Sequence, residues 1–139
     1  MNKNPGLRSD CPISTALDIF GDKWSLLIIR NLMFYNMNTY GEFIRMPENI
    51  ATNILADRLV SLEKAGIILK EEHPESKAKF FYKLTSKGID LVPLMLELTI
   101  WGGKHYEINP YPKAVINDAI KNKEEFVKKL SARLKKIKP

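Results

Sequence analysis

At 139 residues, 45% of them hydrophobic, the chain is long enough for one compact domain with a real core. A single cysteine, Cys11, excludes an internal disulfide framework, and two separated histidines, His73 and His105, argue against a metal site or metal cofactor. The polar N-terminus and the lack of any apolar run near ~20 residues predict a cytoplasmic protein without a signal peptide or membrane contact.

The formal net charge of +6 suggests a polyanionic partner such as nucleic acid. Residues 113–139 hold nine Lys/Arg and three Asp/Glu residues, whereas residues 1–112 hold thirteen of each. The whole excess of positive charge therefore lies in the C-terminal tail. If the body of the chain binds nucleic acid, it must do so through a local basic patch or with help from this tail.

The N-terminal part of the sequence predicts an arm followed by two helices. Residues 1–9 have no periodicity, which is typical of a flexible arm. Cys11-Pro12 favours a helix start, since proline is preferred at the first helical position. The expected buried stripe of this helix consists of Ile13, Leu17 and Phe20. Asp22 can cap a second helix over residues 23–33, whose apolar middle predicts the centre of the core.

A short helix, a tight break and a longer helix come next, which is the order of a helix-turn-helix. We predict the short helix at residues 40–44 and the break at residues 46–49, with Asn49 as the cap. The longer helix covers residues 50–65 and ends at Gly66. The apolar stripe that should face the core consists of Ile54, Leu55, Leu59 and Leu62.

The opposite side of the longer helix carries only short side chains over its first turns. These are Ala51, Thr52, Asn53, Ala56 and Asp57. A helix with a front of this kind can lie close to another surface, such as a DNA major groove. The alternative is an ordinary amphipathic helix with a solvated polar face.

A β-hairpin is predicted after the longer helix. Residues 67–70 and 78–84 have strand character, and residues 73–77 between them carry turn signals. A hairpin beside a helix-turn-helix is the wing of a winged helix. Lys77 and Lys79 are placed there to meet phosphates or to reach a minor groove.

One further helix is predicted over residues 86–101, capped by Thr85 and kinked at Pro93. It is apolar around nearly its whole circumference, so it must be buried on several sides, and a second subunit is the natural cover in a chain this small. The residues expected at this homodimer interface are Leu91, Leu94, Met95, Leu98 and Trp101.

The C-terminal segment, residues 107–139, is predicted to contain a last amphipathic helix over residues 113–137. We expect this basic helix to pack on the dimer with its lysines solvated. Contact of those lysines with DNA or with a membrane surface is the alternative.

Six short motifs follow one another between Cys11 and Tyr106. They are Cys11-Pro12, Gly21-x-Lys23-Trp24-x-Leu26-Leu27-Ile28, Tyr40-x-Glu42-Phe43, Leu55-x-x-Arg58-Leu59-x-x-Leu62-Glu63-x-x-Gly66, Tyr82-x-Leu84-Thr85-x-x-Gly88, and Pro93 with Trp101-Gly102. Together they resemble the HxlR-type winged-helix regulators of bacteria, which belong to the MarR-like group. The resemblance implies a mainly α fold with a small β-hairpin, in which residues 10–106 form a winged-helix DNA-binding and dimerisation domain. It further implies a homodimer, formed through the terminal helices, that binds double-stranded operator DNA with the long helix and the wing.

The resemblance also implies a role for Cys11, because several members of the family sense electrophiles or oxidants through the cysteine at this position. A thiol at a helix N-terminus is stabilised as the thiolate, although the neighbouring Asp10 opposes this effect. Cys11 is therefore a candidate redox sensor, and the alternative is a small buried residue that only packs. An oxidant or a small-molecule effector is accordingly a candidate partner.

The recognition surface departs from the family, whose members usually carry longer polar or basic side chains there and an arginine before the helix. Here those places are held by Thr39, Ala51, Thr52 and Asn53. Because Thr52 can contact a thymine methyl and Asn53 can pair with adenine, we expect an A/T-rich operator. Weak charge on this face gives the wing lysines more weight in binding. The full set of expected DNA contacts is Thr39, Ala51, Thr52, Asn53, Ala56, Lys77 and Lys79.

Several single residues leave alternatives open. Arg58 can reach a phosphate or pair with a core-side carboxylate such as Glu42, and the pairing is favoured. Trp24 and Trp101 are expected in the core or the interface, although they can also line a small-molecule pocket at the dimer junction. His73 is expected to face solvent on the wing.

These features predict a sequence-specific, DNA-binding transcriptional regulator that responds to redox or electrophile signals through Cys11. The alternative is a winged-helix protein-interaction module without DNA binding, which the neutral body and the short recognition side chains favour. No enzyme is expected, because the sequence contains no paired carboxylates in a shared pocket pattern, no nucleophile elbow and no glycine-rich phosphate loop.

Overall fold

The structure, a computed structural model, describes residues 8–106 and 113–137. Its elements, in chain order, are α1 (Pro12–Phe20), α2 (Ser25–Phe34), α3 (Tyr40–Ile44), α4 (Thr52–Lys64), β1 (Ile68–His73), β2 (Ser76–Leu84), α5 (Ser86–Ile89), α6 (Val92–His105), α7 (Lys113–Lys121) and α8 (Lys123–Lys135). This order confirms a mainly α fold with one antiparallel hairpin, β1-β2. Among the described helices, none has the length and apolar character needed to cross a membrane.

The core is built around α2, as its apolar middle predicted. Ile28, Ile29 and Met33 of this helix are completely buried. Most of the other elements contribute apolar side chains to the same cluster, among them Phe43 of α3, Leu55, Leu59 and Leu62 of α4, Tyr82 and Leu84 of β2, and Val92 of α6. The stripe predicted for the longer helix is confirmed, with Ile54 packed against the edge of the core.

The helix α2 begins two residues later than expected, and its N-cap is Trp24 and not Asp22, although the Asp22 side chain still binds the first amides of the helix. The Asp22 Oδ1 accepts the backbone N–H groups of Trp24 and Ser25, each at 2.8 Å. Its Oδ2 accepts the Ser25 hydroxyl at 2.5 Å, and this serine is fully buried. One carboxylate thus satisfies two of the amide groups that a helix N-terminus leaves unpaired, and a buried hydroxyl as well.

The start of α4 differs from the prediction that Asn49 would cap it. The N-cap is Ala51, which offers no side-chain hydrogen bond to the helix. Asn49 instead takes a left-handed backbone conformation, with φ of 60°, in the turn before the helix. Asparagine is one of the few residues with a side chain that tolerates this conformation, so its role is to turn the chain. Gly66 ends the helix with φ of 76°, as predicted.

The hairpin places its two strands in the register Ile68↔Leu84 to Glu72↔Phe80, with an irregularity at His73. The second strand is also joined to the loop before α3, because the Tyr82 N–H donates to the Asn38 carbonyl at 2.8 Å. The wing is therefore fixed to the helix-turn-helix at its base, and its far end extends from the body.

The single helix predicted over residues 86–101 is in fact two helices, α5 and α6. Thr85 caps α5 by accepting the Gly88 N–H at 3.1 Å, and the chain turns at Asp90 and Leu91. Pro93 lies in the first turn of α6. Because a proline has no N–H to donate, it is accommodated in a first turn without loss, and it begins this helix instead of kinking one.

The predicted C-terminal helix is also divided, into α7 and α8, at Asn122. We expected this segment to pack on the dimer, and the structure packs α8 on its own chain. Leu130 and Leu134 are buried in the same core as α2, and the Arg133 Nη2 donates to the Met33 carbonyl at 2.8 Å. The predicted N-terminal arm lies mostly outside the described residues, as do residues 107–112 at the start of the C-terminal segment.

The buried stripe predicted for α1 is wrong. Ile13 and Leu17 are 71% and 52% exposed, Phe20 is half-buried, and the helix contains no buried residue. The helical spacing of these side chains is correct, but no other part of the described chain covers them. An apolar pattern indicates that a face needs a partner, and it does not say that the partner belongs to the same chain.

Candidate nucleic-acid interface

The first turns of α4 form an uncovered front of short side chains. Ala51, Thr52, Asn53 and Ala56 are all exposed. The helix before them packs against α4, and the Tyr40 hydroxyl of that helix donates to the Thr52 carbonyl at 3.3 Å. With no bulky side chain in the way, this front can approach a surface as closely as its backbone allows, as the sequence predicted.

Thr39 lies beside this front and already has a structural partner. Its hydroxyl donates to Glu42 Oε1 at 3.0 Å and accepts the Glu42 N–H at 3.3 Å. The same carboxylate accepts the Thr39 N–H at 3.2 Å, which completes a capping box at the start of α3. The Thr39 hydroxyl is therefore engaged within the protein, and a contact with DNA would have to leave these hydrogen bonds intact or break them.

Arg58 holds α4 to the start of α2. Its Nη1 lies 3.2 Å from Asp22 Oδ2, and its Nη2 and Nε contact the carboxylate of Asp57. The structural pairing that we favoured over a phosphate contact is confirmed, but the partner is Asp22 and not Glu42, whose carboxylate belongs to the capping box. The sequence could not choose among the carboxylates, because Asp22 and Arg58 are 36 residues apart.

The charge on these groups follows from their contacts. Burial by itself raises the pKa of the Asp22 carboxyl, but hydrogen bonds from Ser25, Trp24 and Arg58 lower it more, so its pKa lies below the ordinary value of 3.8. The hydrogen bonds to Asp57 and Asp22 raise the pKa of Arg58. Both partners are therefore charged near neutral pH, which the ion pair requires.

A second ion pair, which the sequence did not reveal, joins α2 to the turn before α4. Arg30 donates to both carboxylate oxygens of Glu48, at 2.6 and 3.0 Å, and this bidentate contact lowers the pKa of Glu48. The only available signal was an acidic residue in the predicted break. One pair therefore holds the turn before α4, and the other holds the middle of that helix.

The wing presents its lysines along the second strand. Lys77 and Lys79 are exposed and, being two residues apart, lie on the same face of β2. Lys70 of the neighbouring strand lies 4.4 Å from the centre of the Phe80 ring, a third cation that the sequence reading missed. His73 is half-buried and its ring meets the edge of Phe81, so it faces solvent only in part.

The face predicted for dimerisation is exposed over most of its length. Leu94, Leu98 and Trp101 are 36%, 45% and 59% exposed, and Leu91 is half-buried. Met95 differs, because it is only 6% exposed and lies in the core of its own chain, where a partner cannot reach it. Tyr106 extends the exposed face, and its ring contacts that of Trp101.

Cys11 is exposed and immediately precedes α1. Its carbonyl accepts the Thr15 N–H at 2.9 Å and its own N–H donates to Ser9 Oγ at 3.2 Å, whereas its thiol makes no capping contact. The alternative of a buried residue that only packs is therefore wrong. The thiol can be reached from solvent, which any sensing role requires.

A helix-turn-helix with a hairpin beside the second helix defines a winged helix, and comparison with known proteins agrees. Residues 19–110 match the family described as HxlR-like helix-turn-helix. The HTH-type transcriptional regulator YdeP of Bacillus subtilis is 33% identical over 95 residues, which is 68% of this chain and 73% of YdeP. The chain belongs to the HxlR-like helix-turn-helix family.

Solved structures show the same similarity. A candidate transcription factor, PA1607, superposes with a TM-score of 0.66 at 34% identity, over 76% of this chain and 72% of that one. A MarR-family transcriptional regulator of Porphyromonas gingivalis gives 0.60 at 31% identity, over 70% and 95%. The redox regulator HypR in its oxidised form gives 0.58 at 31% identity, over 70% and 100%.

Replacement of Asp22 by alanine is expected to lower the free energy of unfolding by about 1–2 kcal/mol at neutral pH, because a helix cap and an ion pair are lost together. The pKa of Asp22 is lowered by folding, so its stabilisation is complete above pH 3.8 and is lost as the pH falls through the lower value in the folded state. Denaturant unfolding of both proteins at several pH values measures this difference.

Asp57→Ala is the matched control, since it also removes a carboxylate from Arg58. The Asp57 side chain is 64% exposed, so the expected change is within about 0.5 kcal/mol. Equal losses in the two variants, or a difference between Asp22→Ala and the parent protein that grows in acid, would contradict the role given to Asp22.

Proposed function

We propose that the protein is a dimeric transcriptional regulator that binds duplex DNA in a sequence-specific manner, with α4 in the major groove and the hairpin against the backbone. The observation that carries the proposal is the uncovered front of α4, beside a hairpin whose second strand exposes Lys77 and Lys79. Two ion pairs, Arg58 with Asp22 and Arg30 with Glu48, help to hold this front in place. Membership of the HxlR-like helix-turn-helix family supports it.

Base recognition is assigned to two side chains on the front of α4. The Asn53 amide can donate one hydrogen bond to adenine and accept another, and the Thr52 methyl can contact thymine. Both side chains are exposed. An A/T-rich operator therefore fits this helix, and Ala51 and Ala56 allow the close approach that short side chains need.

Backbone contacts are assigned to the wing. Residues 1–112 carry no net charge, so the attraction to phosphates must come from local cations. Lys77 and Lys79 are exposed on one face of β2, and each phosphate that they neutralise releases counterions. Binding should accordingly depend on salt, with a slope set by a few lysines.

Dimerisation is assigned to the exposed apolar faces of α1 and α6. A soluble monomer rarely exposes several large apolar side chains together, and these two helices expose Ile13, Leu17, Leu94, Leu98 and Trp101. A two-fold axis through this region would give each operator half-site one recognition helix, with the two centres ~34 Å apart.

Redox sensing is assigned to Cys11. The thiol is exposed at a helix N-terminus, and a redox regulator, HypR, is among the similar structures. Because α1 also carries the exposed Ile13 and Leu17, a modified Cys11 would lie next to the proposed dimer face. Oxidation could then change operator affinity through the position of the two subunits.

Asn53→Ala and Lys79→Ala are expected to weaken DNA binding in different ways. Loss of the amide should remove about 1–3 kcal/mol of discrimination at one base step, because only one base contact disappears. Loss of the lysine should weaken binding to all sequences alike and reduce the log–log salt slope by about one. Selection from a random duplex pool, followed by titrations at several salt concentrations, measures both effects.

Lys79→Arg is the control for charge, and it should retain the parent affinity and salt slope. Unaltered base preference in Asn53→Ala would contradict the assignment of α4 to the groove. Complete absence of salt-dependent DNA binding, with a protein partner found instead, would favour the interaction-module alternative.

Leu98→Asp is expected to convert the protein to a monomer at micromolar concentration, because two buried charges would oppose each other across the proposed two-fold face. Size-exclusion chromatography with light scattering measures the mass directly. Leu69→Asp is the matched control, since Leu69 is equally exposed, at 44%, but lies on the wing. A parent protein that runs as a monomer would remove the dimer from the proposal.

Mild oxidation with hydrogen peroxide is expected to convert the Cys11 thiol to a sulfenic acid, with the peroxide reduced to water, and to change operator affinity at least about tenfold, within the usual range of coupling between two sites. Intact-mass spectrometry and a DNA titration on the same sample measure the two events. Cys11→Ser should bind DNA normally and ignore the oxidant. A modified thiol with unchanged affinity would end the sensing role and leave the DNA-binding role intact.

A further inference from the structure

A cavity of about 610 Å³ lies between the end of α2, α6 and the two C-terminal helices. This volume is in the range of sites that bind small organic ligands. Its walls are largely apolar, and the side chains that provide them are Phe34, Leu96, Ile100, Ile116, Phe126 and Leu130. Much of the lining comes from α7 and α8, which lie beyond residue 110, where the match to the family ends.

Two acids and two bases line this cavity, namely Asp118, Glu125, Lys129 and Arg133. Glu125 and Lys129 form an ion pair at 2.9 Å, and that contact, with the nearby charge of Asp118, raises the pKa of Lys129. The acids Asp118 and Glu125 therefore already interact with a cation of the protein, Lys129. A further anion would be repelled next to these acids.

Arg133 also lines the cavity, two helical turns beyond Glu125 on α8. It follows Lys129 by four residues on α8, so it lies one turn further along the same face of the helix. Its Nη2 donates to the Met33 carbonyl at 2.8 Å, which fixes the guanidinium in position. Among the described residues it has no acidic partner. The remaining N–H groups of a guanidinium form a planar fork that suits a carboxylate.

We propose that this cavity binds an amphipathic carboxylic acid, with its apolar body among the aromatic and aliphatic walls and its carboxylate on Arg133. Of the two cations in the lining, Lys129 is paired with Glu125, which leaves the Arg133 guanidinium to receive an anion, while Asp118 and Glu125 disfavour a carboxylate at their own part of the cavity. The site goes beyond the proposed function, since neither the recognition helix nor Cys11 takes part in it.

Decanoate is the probe, measured by isothermal titration calorimetry on the full-length protein. We expect saturable binding, weaker binding of decan-1-ol, and still weaker binding of decylamine. Arg133→Gln should lower decanoate affinity about tenfold or more, because a charge-assisted hydrogen bond is lost. Lys136→Gln is the matched control, since it removes one cation from the end of the same helix without touching the cavity, and it should bind decanoate normally.

Ile116→Trp tests the cavity by filling it, and it should block decanoate while leaving the far-ultraviolet circular dichroism unchanged. Decanol or decylamine binding as tightly as decanoate would overturn the assignment of an acid. Arg133→Gln or a folded Ile116→Trp with normal decanoate affinity would overturn the site. No DNA is present in these titrations, so their outcome is independent of whether the protein recognises an operator.

Discussion

The contacts of the Asp22 carboxylate determine how α4 is held against the start of α2. This carboxylate satisfies the first amides of α2, accepts the hydroxyl of a buried serine and receives the guanidinium of Arg58 from α4. A single acidic side chain thereby links the helix at the centre of the core to the helix proposed to read DNA. Burial raises the pKa of this carboxyl, but the hydrogen bonds lower it more, so the carboxylate stays ionised near neutral pH and keeps its charge for Arg58.

This linkage bears on the proposal that α4, a helix with such small side chains on its front, recognises DNA. Long, flexible basic side chains can contact phosphates from several positions of the helix. Threonine and asparagine are short, so they reach a base edge only if the helix backbone lies close to the groove. The ion pairs of Arg58 and of Arg30 with Glu48 supply that placement from inside the protein. Binding would then lose little conformational entropy, since the contacting groups are short and their helix is already held.

Much of the fold could be predicted from the sequence, because apolar spacing, turn residues and glycine positions act locally. The helix-turn-helix, the hairpin and the buried stripe of α4 all follow from such patterns. The errors arise where the pattern allows a residue more than one role or does not specify its partner. The pattern favours Asn49 as the cap of α4, but this residue turns the chain before the helix. Arg58 pairs with Asp22 because the fold brings together two residues that are far apart in the sequence. Pattern alone also cannot say which molecule covers an apolar face, as α1 shows.

The C-terminal helix α8 has a consequence for how this protein is delimited. Leu130 and Leu134 fill part of the central core, and Arg133 closes the carbonyl end of α2. A chain cut near residue 110, where the family match stops, would open that core to water and leave a helix end unsatisfied. The hydrophobic core of this protein therefore extends beyond the segment that matches the family.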